Sequence, residues 1–453
     1  QLGPFGLQHD RAPAMLDGFR HDLPDLRPED VIGSPYAVQE YAVNREIGTP
    51  ADLAAVRGVL AELGMRLMLD FVPNHGAVDS ELLRTRPAVL MERPSGSFPA
   101  DWWVRRGGKT YAFGRGPYDG PWTDTVQYNY WSPETVSTMT DILLSIASQA
   151  DAIRCDMAML VLNDVIERTW DGVMRAGGFS RPNEEFWKVA IDAVRAQYPD
   201  TVFMAEAYDY HFTTPPEKQK LQGLGFDVVY DKTILDDLNT GNLDVLRGYI
   251  GSQGQAFFSH TAHFVENHDE PRSVAALGGP QQAFAGAVVA STIPGLRLFY
   301  FGQFDGLSAK LAVQLRRATS QAPDPALHAQ YRALLRALAD PVFHGGSWAA
   351  VPSPRQGSGW RLCAWRWTSS DGTRKRLVVV NFSDGQAWAN IPVADAEGPP
   401  GTDSVVLTEL LTGSQYVRSS TEMRTTGLTC GLPAWTSQIF SYDGGTAPAP
   451  MIV

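Results

Sequence analysis

Cysteine is scarce in this chain. Cys155, Cys363 and Cys430 are the whole set. Three widely spaced thiols make no disulfide framework, which reads as reduced thiols in a cytoplasmic protein. Positive charge is in deficit as well: 38 Lys and Arg against 50 Asp and Glu give a net charge of −12. That balance argues against nucleic acid or an anionic membrane as the partner. The longest apolar run, around Ala283–Ile293, falls short of the roughly 20 residues that a spanning helix needs. No secretory leader is visible, and no Gly-rich phosphate loop precedes a helical pattern. The chain opens "QLGPFG" without an initiator Met, which points to missing residues upstream.

What is present is material for a large core. The chain has 453 residues, 44% hydrophobic and 19% charged, enough for more than one domain. Its 12 Trp and 15 Tyr are generous. Flat aromatic faces suit sugar rings, although core packing accounts for most such residues.

Short apolar runs alternate with amphipathic stretches from about Ile32 to Leu338. "RLMLDF" (66–71), "DAIRCDM" (151–157), "TVFMAEA" (201–207), "FDVVYD" (226–231), "AHFVEN" (262–267) and "RLFYFG" (297–302) read as buried parallel strands. "VIGSPYAVQEY" would carry a further strand, the second, and "QLG" looks like the exit of the first. Between them, "TPADLAAVRGVLAELG" shows helix capping at Thr49 and a stop at Gly64, and four later stretches share the helical period. Repeated strand–helix units imply a parallel α/β fold, and their number fits a (β/α)₈ TIM barrel over 1–343. A stretch at about 86–125, rich in Gly, Pro, Arg and Trp, is a long excursion from it. Over 344–444 only strand patterns remain, a C-terminal antiparallel β-sandwich domain, and 445–453 reads as a tail. Within that domain "GSGWRLCAWRW" reads as alternating strand core, with a surface sugar patch as the alternative.

In such a barrel the chemistry sits at the C-terminal ends of the strands. Several runs here end in polar groups at that place: Asp70, Asn74 and His75 after one, Arg154 and Asp156 on the next, then Glu206, then "ENHDE" with His268 and Asp269. An Asp at a strand end is ordinarily a cap or a turn former. Four such clusters on converging strands are not explained that way. Carboxylates with an Arg and two His are the inventory for glycoside hydrolysis with retention. Asp156 and Glu206 lie on neighbouring strands, and Arg154, two residues before Asp156, emerges on the same face. His260 and His263 have a loose spacing that gives no metal site, and Cys155 faces away from the acids.

"DFVPNH", "AIRCDMAML", "VFMAEAY" and "FVENHDEPR" resemble, in order, the four short regions that mark glycoside hydrolase family 13, the α-amylase family. The resemblance implies that Asp156 is the nucleophile, Glu206 the general acid/base and Asp269 the third acid. It implies that Arg154 positions the nucleophile, that His75 and His268 hydrogen-bond the sugar, and that Tyr36 stacks under it. Asp70 and Asn74 support that wall. In many relatives the Asn also holds a structural calcium; no acidic partner for it stands out here, so no cofactor is expected, with calcium as the lesser alternative. Where starch-acting relatives often carry Lys-His after the nucleophile, this chain has Met159 and Leu160, an apolar pair on the acceptor side.

These readings imply a retaining α-glycosidase working on α-glucosidic bonds of oligosaccharides or small α-glucosides through a covalent glycosyl-enzyme. The alternatives are an α-glucan transglycosidase, with a sugar as acceptor, and a non-catalytic barrel acting as a binding module.

Overall fold

The computed structural model describes residues 3–352 and 357–443. They fall into two compact units, one of Gln1–Tyr230 with Leu311–Thr319, the other of Asp231–Lys310 with Ser320–Val453. The tail expected at 445–453, and Gln1 and Leu2 of the expected strand exit, lie outside the described residues.

The first unit carries β1 (Met68–Phe71), β2 (His75–Ala77), β3 (Trp103–Arg106), β4 (Lys109–Ala112), β5 (Thr125–Gln127), β6 (Ala152–Cys155), β7 (Val202–Ala205) and β8 (Val228–Tyr230). Strands β1, β6, β7 and β8 run parallel in that order. All four residues of β6 are buried, as an inner strand covered on both faces requires. Helices Pro133–Gln149 and Phe186–Gln197 turn their apolar stripes to this sheet. Trp187, fully buried, meets the rings of Phe71, Phe186 and Phe226 and fills the layer behind the strand ends.

"VIGSPYAVQEY", expected as a strand, is not one. Val31 makes a single antiparallel bridge to Leu315. Gly33, at φ +92, then takes the backbone out of the extended region, and Pro35 has no N–H to give a ladder. The excursion holds more order than its sequence suggests. Gly107 and Gly108, both at positive φ, close the β3–β4 hairpin through the two-residue turn that such angles favour. At its end β5 pairs with β2, which fixes His75 beside Gln127.

The first strands of the second unit are β9 (Thr261–His263) and β10 (Leu296–Arg297), a parallel pair. Both are shorter than the apolar runs that announced them. Its later strands are β11 (Ser347–Val351), β12 (Leu362–Thr368), β13 (Lys375–Asn381), β14 (Ala387–Ile391), β15 (Ser404–Glu409), β16 (Gln415–Ser419), β17 (Leu428–Leu432) and β18 (Ser437–Ser441). Six form one sheet in the order β11-β12-β13-β18-β15-β16, and β14 pairs with β17. A short helix, Ser420–Thr425, interrupts a region read as strands alone. Alternation along β13 explains the layering. Leu377 and Val379 join a core with Ala387, Ala389 and Leu428. Val378 and Val380 point the other way, into a core with residues of helices Pro280–Thr292 and Pro325–Leu338. On that face Trp365 and Trp367 donate their indole N–H groups to Thr292, at 3.1 and 2.7 Å. Two Trp of "GSGWRLCAWRW" are thus strand core, while Trp360 is 57% exposed.

Trp365→Ala should remove a fully packed side chain and its hydrogen bond, at about 3–5 kcal/mol. Trp360→Ala should stay within about 0.5 kcal/mol. Denaturant midpoints of the two variants distinguish the buried ring from the exposed one.

Candidate active site

Parallel register builds the centre of the site. Arg154 stands opposite Asp70 on β1 and Met204 on β7, and the last paired residues of β6 and β7 are Cys155 and Ala205. Asp156 and Glu206 are therefore the next residues on adjacent strands, and Glu206 N still donates to Cys155 O at 2.9 Å. Neighbouring strands lie about 4.8 Å apart, so two side chains on the same face at this level meet.

They meet at one guanidinium. Arg154 Nη1 donates to Asp156 Oδ1 at 3.1 Å and Nη2 to Glu206 Oε2 at 2.8 Å. All three residues are buried. Asp70 is the outer member, its Oδ2 3.9 Å from Arg154 Nη1 and 3.3 Å from the Tyr36 hydroxyl that donates to it. The rings of Tyr36 and Tyr230 lie 5.4 and 5.6 Å from the guanidinium carbon, a spacing at which an aromatic face attracts a cation.

The two acids are not held alike. Glu206 also accepts from Met157 N at 3.0 Å and from the Tyr208 hydroxyl at 2.8 Å. Met157 can aim its N–H there because it sits in the left-handed region, φ 40 and ψ 45, a strained setting for a side-chain-bearing residue. Asp156 has Arg154 alone as its side-chain partner among the described residues. Burial, then the facing Glu206 carboxylate, push the Asp156 carboxyl well above the usual aspartate range, against the pull of Arg154. Arg154 bonds Asp156, as expected, but its guanidinium is shared, and the shorter bond goes to Glu206.

His75, on β2, is buried, and burial takes its imidazole down to about 4. It is a neutral hydrogen-bonding group at neutral pH, with the Trp122 ring 5.0 Å from its own. Asn74 Oδ1 accepts from Gln127 Nε2 at 2.9 Å. Met159 and Leu160 are buried in the apolar core and offer almost no surface to a sugar.

In the second unit, Asp269 is exposed and His268 half-buried, with His268 Nε2 3.0 Å from Asp269 Oδ2. Asn267 Oδ1 accepts from the N–H groups of Asp269 and Glu270, at 2.9 Å each. Glu266, fully buried, accepts from Arg272 at 2.8 Å and from Ser273 N and Oγ at 2.6 Å. That buried acid fixes both ends of the loop that carries His268 and Asp269.

Sequence reasoning passed over Tyr208, Tyr230 and Glu217. Tyr208 follows Glu206 by two residues, and strand parity could have found it. Glu217 is fully buried and accepts from the N–H groups of Tyr210, His211, Phe212 and Thr213, at 2.7 to 3.2 Å. Nothing in the sequence marks it, because its partners are backbone. It shapes the loop beyond Glu206, where Tyr210 and Phe212 meet Tyr118 of the excursion with ring centres 5.5 and 5.6 Å from it.

The family model described as the α-amylase catalytic domain matches residues 28–326. An α-1,4-glucan:maltose-1-phosphate maltosyltransferase from Rhodospirillum rubrum is 26% identical over 211 residues, 45% of this chain, and the match spans 25% of that protein's length. Among solved structures, a maltogenic α-amylase from Thermotoga neapolitana is similar with a TM-score of 0.66 and 20% identity, over 91% of this chain and 86% of that one. An α-amylase from Lactobacillus plantarum gives 0.65 and 20%, over 90% and 86%. The debranching enzyme of Nostoc punctiforme gives 0.62 and 16%, over 89% and 82%. The fold class is a (β/α)₈ barrel with an antiparallel β domain after it.

Because folding raises the Asp156 pKa, its ionised form weighs against the folded state at neutral pH. That cost fades as the pH falls from the raised value to the ordinary one, about 4. Asp156→Asn should therefore raise the thermal midpoint at pH 7, with a gain that shrinks toward pH 4. An unchanged or lower midpoint at pH 7 would contradict the upward shift of Asp156 that burial, and after it Glu206, impose.

Proposed function

The chain belongs to the α-amylase family, and on that premise we propose that it is a retaining α-glycosidase acting on α-glucosidic bonds of oligosaccharides. The observation that carries this reading is Arg154, held at once by Asp156 and Glu206. Asp156 attacks the anomeric carbon, and the bond to the leaving oxygen breaks as Glu206 gives that oxygen its proton. The Glu206 carboxylate then takes a proton from water as the water oxygen displaces Asp156 from the sugar. Asp269 and His268 bind sugar hydroxyls, as the family resemblance implies.

The bonding around the two acids is the reverse of what the first step needs, since Glu206 has the more donors. A substrate whose leaving oxygen takes up Glu206 draws it from Arg154 Nη2 and Met157 N. The guanidinium is then left to Asp156, whose charged form it favours.

A second reading is favoured by one feature. Tyr118, 72% exposed, packs on Tyr210 and Phe212. Burial raises the Tyr210 phenol, and Asp119 and Glu206 add to the rise; Tyr210 and Phe212 lie on the loop that follows Glu206. An acceptor sugar stacked there would compete with water for the glycosyl-enzyme, which makes transglycosylation the alternative outcome. The maltosyltransferase relative is consistent with it.

With α-glucosyl fluoride, whose leaving group needs no proton, Glu206→Gln should still release a burst of fluoride. On an unactivated α-glucoside the same variant should lose about 10²–10⁴ in kcat. Asp156→Asn should release none. A fluoride burst from Asp156→Asn would remove it as nucleophile. Tyr118→Ala should lower the ratio of transfer to hydrolysis products on maltooligosaccharides while leaving fluoride release unchanged. An unaltered product ratio would remove the rim from acceptor binding.

A further inference from the structure

Three side chains of the first unit converge away from the acids just described. His9 and Asp10 end the helix Pro4–Asp10, and Asp124 precedes β5 at the close of the excursion. One ligating atom from each lies within 4.8 Å of the others. Ligands held about 2.0–2.4 Å from a common ion stand at most about twice that distance apart, so the three fit around one cation.

The Asp10 side chain is 2% exposed. Its Oδ1 lies 2.9 Å from His9 Nδ1, and its Oδ2 has no hydrogen-bond partner among the described residues. A buried carboxylate oxygen left so is costly, and the carboxylate facing it adds repulsion. Among the described residues no Lys or Arg pairs with Asp10 or Asp124; Arg11, next in sequence, turns to the carbonyl of Val31. His9 Nε2 lies 2.7 Å from the Thr123 hydroxyl.

From this geometry we infer a structural site for a divalent transition ion of the zinc type, bound by His9, Asp10 and Asp124. The donor set decides the class. Calcium and magnesium take shells of oxygen, whereas an imidazole with two carboxylates suits zinc and its neighbours. The Thr123 hydroxyl stands beside the imidazole, ready to orient it or to join the shell. The ion would tie the helix Pro4–Asp10 to the segment that runs directly into β5, and so brace the β2–β5 pair that carries His75.

The test is calorimetric titration of the full chain, free of any histidine tag and stripped with chelator, using zinc chloride. Manganese and calcium chlorides are titrated separately, and the thermal midpoint is read with and without each metal. One zinc per chain is expected, at least about 10-fold tighter than calcium, with a raised midpoint. Asp124→Asn and His9→Gln should each weaken zinc by about 10-fold or more with an unchanged circular dichroism spectrum. Asp101→Asn, a carboxylate elsewhere in the excursion, should bind as the parent does. Failure of the parent chain to bind zinc, equal binding by the two site variants, or a preference for calcium overturns the assignment.

Discussion

Two buried carboxylates share one guanidinium, and the remaining features of the first unit can be ranked by how they serve that arrangement. Either acid without Arg154 would face the other across a dry gap, where like charges are costly. With it the pair is held, but unequally. Tyr208 and Met157 N add donors to Glu206 alone, so Asp156 bears most of the strain of proximity.

The constraint behind the arrangement is register. Arg154 lies opposite Asp70 and Met204, and a slip of one residue would turn the acids to the helix side. Aromatic packing at Trp187 and the left-handed turn at Met157 hold the strand ends from behind and above. Glu217 does the same for the loop beyond Glu206, with four backbone donors on one carboxylate. In the second unit Glu266 repeats the device for the loop of His268 and Asp269. In both places a buried acid spends its hydrogen bonds on the shape of a neighbouring loop.

Legibility followed period and spacing. The parallel strands and the capped helices announced themselves because burial on both faces demands continuous apolar runs and one-sided burial demands a stripe. The expected strand at Val31 failed where Gly33 and Pro35 broke the ladder, a local signal that the apolar pattern outweighed. The excursion was opaque because its order comes from a two-glycine turn and a short pairing with β2, neither of which has a period. Met159 and Leu160, read as acceptor-side residues from their place after Asp156, lie in the core. Position along a chain says which strand end a residue follows, not which way the turn after it faces.

The sequence alone determined the family, the strand ends that carry Asp156 and Glu206, and the face that Arg154 shares with them. These depend on residue type and on parity along a strand, which a chain cannot lose in folding. Only the tertiary structure decided that Arg154 divides itself between the two acids, that Glu206 collects the extra donors, and that Asp10 meets Asp124. Those facts depend on distances between segments far apart in the chain, and such distances are set by packing rather than by any local pattern.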